Sequence, residues 1–313
     1  MFTKALIVDI SIKIPDQYMR RVKKLFKHVE AVSSSDPNFK TKLADVDAIF
    51  CNISTRISKE IIDIAPKLKY IGTLSTAYDG VDANYARTKK ITVANLGGYS
   101  TEAVAEWIFA ALFEHMRELE RAKQQARTGD YAFVSFMGAE LAGKTLGVIG
   151  AGKIGSRVAE IGLGIGMKVQ YYSPHKKSLL EKKGAKKATL DRLFKTSDVV
   201  SLNIIQNKDT DGMIGKAQLV LMKQGAIFVN TAGMRPIVWN AMTSALKDSA
   251  IDLIFHNTHG LNLGMIAALQ SLKNVEFYPG IAFRTKESMT AMFETFTSNI
   301  EHFAKGKPQN VVN

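Results

Sequence analysis

The stretch TLGVIGAGKIG, residues 145–155, constrains the fold more than any other part of the chain. It places an apolar strand pattern before three glycines in GxGxxG spacing. A helical pattern follows at once, and a second strand pattern follows within about 30 residues. In this motif the first glycine permits a tight turn, the second lets the backbone approach a pyrophosphate, and the third lets the helix pack on the strand. We therefore predict a dinucleotide-binding βαβ unit whose helix N–H groups face the anion. The residues assigned to the pyrophosphate are Gly150, Gly152, Lys153, Ile154 and Gly155.

The end of the second predicted strand bears on the choice of cofactor. Ser173 stands where the motif normally has an acidic residue, about 20 positions after the glycines. A carboxylate there repels a ribose 2′-phosphate, whereas a hydroxyl followed by His175, Lys176 and Lys177 donates hydrogen bonds and supplies positive charge. We predict that NADP(H) is favoured over NAD(H). The alternative is that these lysines form only a solvated loop, so that the protein accepts NAD(H) or either cofactor.

Strand patterns alternate with helical patterns along the whole chain, which predicts parallel sheets covered by helices. A first α/β unit ends near residue 98, and a single long helix is predicted over residues 100–127, with Ser100 or Thr101 as its N-cap. The second βαβ system begins after that helix. Strands of the first unit are predicted over residues 4–10, 47–52, 69–75 and 91–96.

Composition narrows the class of protein. With 313 residues, of which 46% are hydrophobic, the chain is long enough for about two domains. The 42 basic and 29 acidic residues give a net charge of +13, but the lysines are scattered, so a nucleic-acid partner is not favoured. No apolar run is long enough to span a membrane, and Asp9 interrupts the N-terminal run too early for a signal peptide. We expect a cytoplasmic protein with no metal site, whose single cysteine, Cys51, is buried.

Several motifs in the right order resemble the D-2-hydroxyacid dehydrogenase family over nearly the whole chain. They are STAYDGVD (75–82), NLGGYSTEAVAE (95–106), LAGKTLGVIGAGKIG (141–155), SDVVSLN (197–203), FVNTA (228–232) and NIEHFAKGKPQNVVN (299–313). The resemblance implies an α/β fold of two doubly wound parallel-sheet domains. A Rossmann NAD(P)-binding domain, residues 99–285, is inserted into a flavodoxin-like substrate domain, residues 1–98 and 286–313.

The resemblance also implies binding roles. Ala77, Tyr78 and Asp79 match the family's substrate loop, whose backbone N–H groups bind a small carboxylate. A homodimer is implied because the segment 101–127 is similar to the one through which family members dimerise. The positions matched to the nicotinamide end of the cofactor site are Asn203, Thr231, Ala232 and Asn257, the last of which falls on the aspartate of the family's DV motif.

The family's catalytic side chains are absent at the matching positions. The arginine that holds the substrate carboxylate and polarises its carbonyl falls at Gly233, the proton-exchanging histidine at Gly280, and its partner glutamate at Asn262. Two residues could substitute: Arg235, if the loop after Ala232 bends differently, and His259. The alternative is that both are ordinary surface or packed side chains without a catalytic role.

Three functions follow from these observations. By its resemblance, the chain is an NAD(P)-dependent oxidoreductase acting on a small 2-hydroxy or 2-oxo acid. By its residues, it is weak or inactive in that reaction, which favours a catalytically inactive nucleotide-binding sensor, regulator or partner subunit as the alternative. A nucleic-acid-associated protein that retains a nucleotide fold is the least favoured.

Overall fold

The fold is taken from a computed structural model, which describes residues 2–248, 250–256 and 263–313. The first elements are β1 (Phe2–Val8), α1 (Asp16–Lys23), β2 (Phe26–Val32), a short 3-10 helix (Thr41–Leu43), β3 (Ala48–Cys51), α2 (Lys59–Asp63), β4 (Tyr70–Thr73), α3 (Ala83–Thr88) and β5 (Thr92–Ala94). They continue with α4 (Thr101–Arg117), α5 (Leu119–Arg127), β6 (Thr145–Ile149), α6 (Lys153–Gly164), β7 (Lys168–Tyr172), α7 (Ser178–Lys182), β8 (Lys186–Lys187), α8 (Leu190–Thr196) and β9 (Val199–Leu202). The last are α9 (Lys216–Leu219), β10 (Ala226–Asn230), α10 (Trp239–Lys247), β11 (Ile251–His256), α11 (Leu263–Gln270), β12 (Val275–Tyr278) and α12 (Lys286–Ala304).

The chain divides into two compact units, Met1–Tyr99 with Lys286–Asn313 (unit 1) and Ser100–Thr285 (unit 2). The sheet of unit 1 has the order β2-β1-β3-β4-β5, and the described pairs between its strands are parallel. This is the flavodoxin-like order, in which the chain winds first to one side of β1 and then to the other. The core of the unit includes Cys51, whose burial was predicted and is confirmed; burial raises the pKa of its thiol to about 12.

Unit 2 contains a seven-stranded sheet in the order β12-β11-β10-β9-β6-β7-β8. Its strand order reverses between β6 and β9, and ligands of such sheets bind at that point, outside the carboxyl ends of the strands. Helix α4 packs on α6, and both contribute to the buried apolar cluster on one face of the sheet. The predicted fold class, two doubly wound parallel-sheet domains of Rossmann and flavodoxin-like type, is confirmed.

The structure differs from the sequence prediction in one predicted helix and one strand that was not predicted. The single helix predicted over residues 100–127 is two helices, because Glu118 adopts a left-handed conformation with φ of 50° between α4 and α5. Ser100 does hold the N-cap position of α4, although its side chain makes no capping hydrogen bond. Strand β2 was not predicted, since its sequence FKHVEAV mixes charged and apolar residues, as suits a strand at the sheet edge.

A charged cluster joins α4 to the edge of the unit 2 sheet. His115 lies between two carboxylates, with Nδ1 2.7 Å from Glu276 on β12 and Nε2 3.1 Å from Asp252 on β11. Hydrogen bonds to Asp252 and then to Glu276 raise the pKa of His115 to about 9. The imidazole is therefore charged at neutral pH and forms an ion pair on each side.

Candidate nucleotide and ligand site

The glycine-rich turn of unit 2 follows β6 directly. Gly150 has a φ of 90°, and a Cβ there would lie 2.7 Å from the Asn203 carbonyl oxygen. A Cβ on Gly155 would lie 1.9 Å from the Gly150 carbonyl oxygen. Both glycines are therefore required by the protein's own backbone, the first for its left-handed conformation and the second for the close approach of α6 to the turn.

The middle glycine of the turn has a different reason to be there. Gly152 has an ordinary extended conformation, with φ of −76° and ψ of −159°, and a Cβ on it would meet no atom within 4 Å. Neither the backbone nor the packing of the protein requires glycine at this position. It lies at the N-cap of α6, where the first N–H groups of a helix have no partner within the helix. Open space beside the N-terminus of a helix fits a pyrophosphate, so the turn suits a dinucleotide.

The end of β7 presents Ser173, which is buried, followed by the exposed side chains of His175 and Lys176. Lys176 Nζ lies 3.0 Å from Glu181 Oε2 on α7, and this contact lowers the pKa of Glu181. Glu181 also accepts a hydrogen bond of 2.9 Å from the Tyr171 hydroxyl. One of the lysines predicted to attract a 2′-phosphate is thus already paired with a carboxylate.

The carboxyl ends of β9 and β10 lie side by side and bring two predicted site residues together. The Thr231 hydroxyl donates to the Leu202 carbonyl at 3.2 Å and lies 3.4 Å from Asn203 Oδ1. Beyond Thr231 the chain turns tightly, since Asn230 Oδ1 accepts from the Ala232 N–H at 2.9 Å. These polar groups lie at the carboxyl edge of the sheet. They are next to the point between β6 and β9 at which the strand order reverses.

The loop after β10 has a defined conformation at the position matched to the family arginine. Gly233 has a φ of 95°, and a Cβ on it would lie 3.0 Å from Gln206 Nε2. Arg235, one of the two predicted substitutes, forms an ion pair of 2.6 Å with Asp211. Sequence reasoning did not identify Gln206, because the contact joins two loops 27 residues apart.

At the carboxyl end of β11 lies His256, 7% exposed, with its ring 4.8 Å from that of Trp107 on α4. Its Nε2 accepts the Ala282 N–H at 2.9 Å, so a proton on the neutral ring must reside on Nδ1. Nδ1 is buried and has no hydrogen-bond partner among the described residues. Burial lowers the pKa of His256 to about 4, so the ring is neutral at physiological pH.

His256 thus holds the segment that contains Gly280, the position matched to the family histidine. The sequence places His256, like His259, near the position of the missing carboxylate, but only His259 was predicted as a substitute. The Nδ1–H, which has no acceptor among the described residues, is a buried donor at the same edge of the sheet as the glycine turn. The residues Asn257, His259 and Asn262 lie outside the described part of the chain.

In unit 1, the predicted substrate loop follows β4. The carbonyl of Thr76 accepts from Asn95 Nδ2 at 2.6 Å, and the Asn95 carbonyl accepts from Asn299 Nδ2 on α12 at 2.9 Å. Asn95 and Asn299 are both buried, so the loop begins from a fixed base. Among the described residues, the backbone N–H groups of Ala77, Tyr78 and Asp79 have no hydrogen-bond acceptor. Such a run of unpaired N–H groups can bind an anion.

No cluster of three or more metal-ligating side chains occurs among residues 2–248, 250–256 and 263–313. In that part of the chain, no helix has the length and apolar character needed to cross a membrane.

The fold and the glycine turn define a dinucleotide-binding α/β protein of the Rossmann class. Residues 109–256 match the family model described as D-isomer specific 2-hydroxyacid dehydrogenase, NAD binding domain. The chain is 33% identical to a glyoxylate reductase from Thermococcus litoralis, over 98% of this chain and 96% of that protein. It therefore belongs to the D-isomer-specific 2-hydroxyacid dehydrogenase family.

Two solved structures are similar to this one. A D-lactate dehydrogenase from Aquifex aeolicus, complexed with NAD and lactic acid, has a TM-score of 0.88 at 29% identity, covering 97% of this chain and 96% of that one. An acyclic imino acid reductase in complex with NADPH and D-Arg has a TM-score of 0.90 at 29% identity, covering both chains completely.

Proposed function

We propose that the protein binds a nicotinamide dinucleotide at the carboxyl edge of the unit 2 sheet. The observation that carries the proposal is Gly152, a glycine with open space beside it and no structural reason to be glycine. The nicotinamide end would lie toward Asn203, Thr231 and Ala232, with Asn257 as a further predicted contact. The bound cofactor would supply or accept a hydride, while this chain's residues bind and orient it.

We further propose that NADP(H) is preferred over NAD(H). Ser173 carries no charge to repel a 2′-phosphate, and the similar imino acid reductase was solved with NADPH. Because Lys176 is paired with Glu181, His175 and Lys177 remain as the other basic side chains after β7. The preference should therefore be modest.

The test is a fluorescence titration of the full chain with NADPH and with NADH. We expect tighter binding of NADPH, and a reversed preference in Ser173→Asp, whose carboxylate would accept hydrogen bonds from the ribose hydroxyls and repel the phosphate. Ser178→Asp on α7 is the matched control and should keep the preference of the unmodified chain. Tighter binding of NADH by the unmodified chain would contradict the NADP(H) proposal, and no binding of either would contradict the dinucleotide site itself.

We propose that the protein is weak or inactive in reduction of 2-oxo acids. The positions matched to the arginine and the histidine are Gly233 and Gly280, and the neighbouring His256 is buried and neutral. General acid–base catalysis contributes about 10² to 10⁴ in rate, so a missing histidine raises the barrier by about 3 to 5 kcal/mol.

Turnover of glyoxylate, hydroxypyruvate and pyruvate, measured with each cofactor, tests this. We expect turnover far below the usual enzyme range of about 1 to 10³ per second. A turnover number within that range on any of the three acids would contradict the proposal.

A second candidate, a nucleotide-binding sensor or partner subunit, is favoured by one observation. The turn suited to a dinucleotide and the three unpaired N–H groups of residues 77–79 retain ligand-binding geometry without an acid–base side chain at Gly233 or Gly280. In this proposal unit 1 binds a small carboxylate and unit 2 the dinucleotide. Residues 1–98 and 286–313 then form the substrate domain and residues 99–285 the NAD(P)-binding domain, in a cytoplasmic homodimer.

A further inference from the structure

The side chain of Gln206, in the loop after β9, lies directly beside the position where a side chain on residue 233 would begin. A Cβ built on Gly233 would lie 3.0 Å from Nε2 and 3.1 Å from Oε1 of Gln206. These separations are shorter than ordinary contacts, and the φ of 95° already disfavours any side chain at position 233. The carboxamide of Gln206 therefore lies in tight contact with the position from which a side chain on residue 233 would extend.

The orientation of this carboxamide is fixed by a hydrogen bond. The backbone N–H of Arg235 donates to Gln206 Oε1 at 3.0 Å. The other end of the group, Nε2, carries two N–H donors. Within the described ranges of the chain, neither donor has an acceptor. Gln206 thus presents unused donors beside Gly233, at the carboxyl edge of the sheet.

The positive charge of Arg235, two residues after Gly233, is compensated. The Arg235 guanidinium lies 2.6 Å from the Asp211 carboxylate, and the Arg235 carbonyl accepts the Gly212 N–H at 2.8 Å. Both ends of the residue are therefore bound to the segment after β9. A ligand at this edge meets a neutral donor in Gln206 instead of an uncompensated cation.

We propose that Gln206 Nε2 donates a hydrogen bond to the carbonyl oxygen of the ligand, and that the site accepts neutral 2-oxo amides as readily as 2-oxo acids. This inference rests on the proposed function, since it requires a cofactor on the same edge of the sheet. A guanidinium would discriminate between the two ligand classes, because it forms a bidentate ion pair with the carboxylate of a 2-oxo acid and cannot do so with a neutral amide. A carboxamide donor carries no net charge and makes a similar hydrogen bond to either carbonyl.

The experiment compares pyruvate with pyruvamide. The full chain is saturated with NADP⁺, so that no hydride is available, and each ligand is titrated by saturation-transfer NMR. We expect dissociation constants that agree within about 3-fold, and a loss of about 3- to 10-fold for both ligands in Gln206→Met, which keeps the length of the side chain and removes the donors. Gln206→Glu keeps the acceptor for Arg235 but should weaken pyruvate further by charge repulsion.

Gln224→Met is the matched control, because Gln224 is exposed and precedes β10 at the opposite end of that strand. It should bind both ligands as the unmodified chain does. NADP⁺ affinity is measured first for every variant and should not change in Gln206→Met. The inference is overturned if the unmodified chain prefers pyruvate by about tenfold or more, if Gln206→Met binds both ligands normally, or if neither ligand binds. Failure of the cofactor titration with NADP⁺ and NAD⁺ overturns the proposed function itself, and the inference with it.

Discussion

Individual glycines of the turn have separable roles. Gly155 is required by a backbone atom 1.9 Å from its missing Cβ, whereas Gly152 has no neighbour within 4 Å of that position. The same substitution, glycine to alanine, therefore probes folding at one position and ligand binding at the other.

We expect Gly155→Ala to lower the free energy of unfolding by about 2 kcal/mol or more, because α6 must move away from the turn. Gly152→Ala should change it by less than about 1 kcal/mol, the usual range for a helix N-cap, while weakening dinucleotide binding by about tenfold or more through contact with the pyrophosphate. Urea unfolding and a cofactor titration on both variants measure the two effects. If Gly152→Ala bound the cofactor normally, the pyrophosphate would not approach this residue.

At the scale of residues, the sequence predicts those features whose conformation is set by residues close together in the chain. The glycine spacing predicted the turn, and strand, turn and helix are present as expected. The roles of the predicted cofactor residues stay predictions. Gln206 could not be predicted, because its contact with Gly233 depends on how two loops are brought together by the neighbouring strands β9 and β10.

At the scale of elements, helical periodicity predicts where a helix lies but does not predict where a single residue interrupts it. Residues 100–127 keep a helical pattern throughout, yet Glu118 leaves the right-handed region and separates α4 from α5. No glycine or proline marks the position. The helix α4 is in turn joined to β11 and β12 by His115, whose two carboxylate partners lie more than 130 residues away in sequence.

Stability should depend on pH through His115. Its pKa is raised to about 9 in the folded protein, above the ordinary value of about 6.5 in the unfolded chain. Stabilisation is therefore complete below about pH 6.5 and is lost as the pH rises through about 9. We expect His115→Gln to lose on the order of 1 to 3 kcal/mol relative to the unmodified protein at pH 6 and much less at pH 9.5. Urea unfolding at the two pH values gives the difference.

His28→Gln, on the exposed part of β2, is the control for this measurement. It should change the free energy of unfolding very little at either pH value. A destabilisation by His115→Gln that is the same at pH 6 and pH 9.5 would show that packing, not the two ion pairs, accounts for the effect.

At the scale of the whole molecule, the segment after α5 exposes several large apolar side chains. Tyr131, Phe133, Val134 and Met137 are between 79 and 89% exposed, although Arg121 and Gln125 of α5 bind the backbone of the same segment. Four exposed apolar side chains within seven residues are typical of a protein–protein interface. We propose that this segment takes part in the homodimer that the sequence resemblance implies.

We expect the unmodified protein to have twice the chain mass of 34.5 kDa in light scattering, and Phe133→Glu/Val134→Glu to be monomeric. Two carboxylates in an apolar interface lose hydration without gaining a partner, which costs several kcal/mol. Leu179→Glu alters a residue of α7 that is also 77% exposed and should leave the mass unchanged. A double variant that remains a dimer would place the interface elsewhere.

The conformation of Gly233 has a consequence for engineering this loop. With a φ of 95°, the position disfavours a side chain, since a left-handed conformation costs a non-glycine residue about 1 to 2 kcal/mol. An arginine introduced at position 233 would meet this cost, and Gln206 would have to shift by a few tenths of an ångström to admit its Cβ. Substitutions of Gln206 are therefore a less disruptive way to vary what this edge of the sheet presents to a ligand.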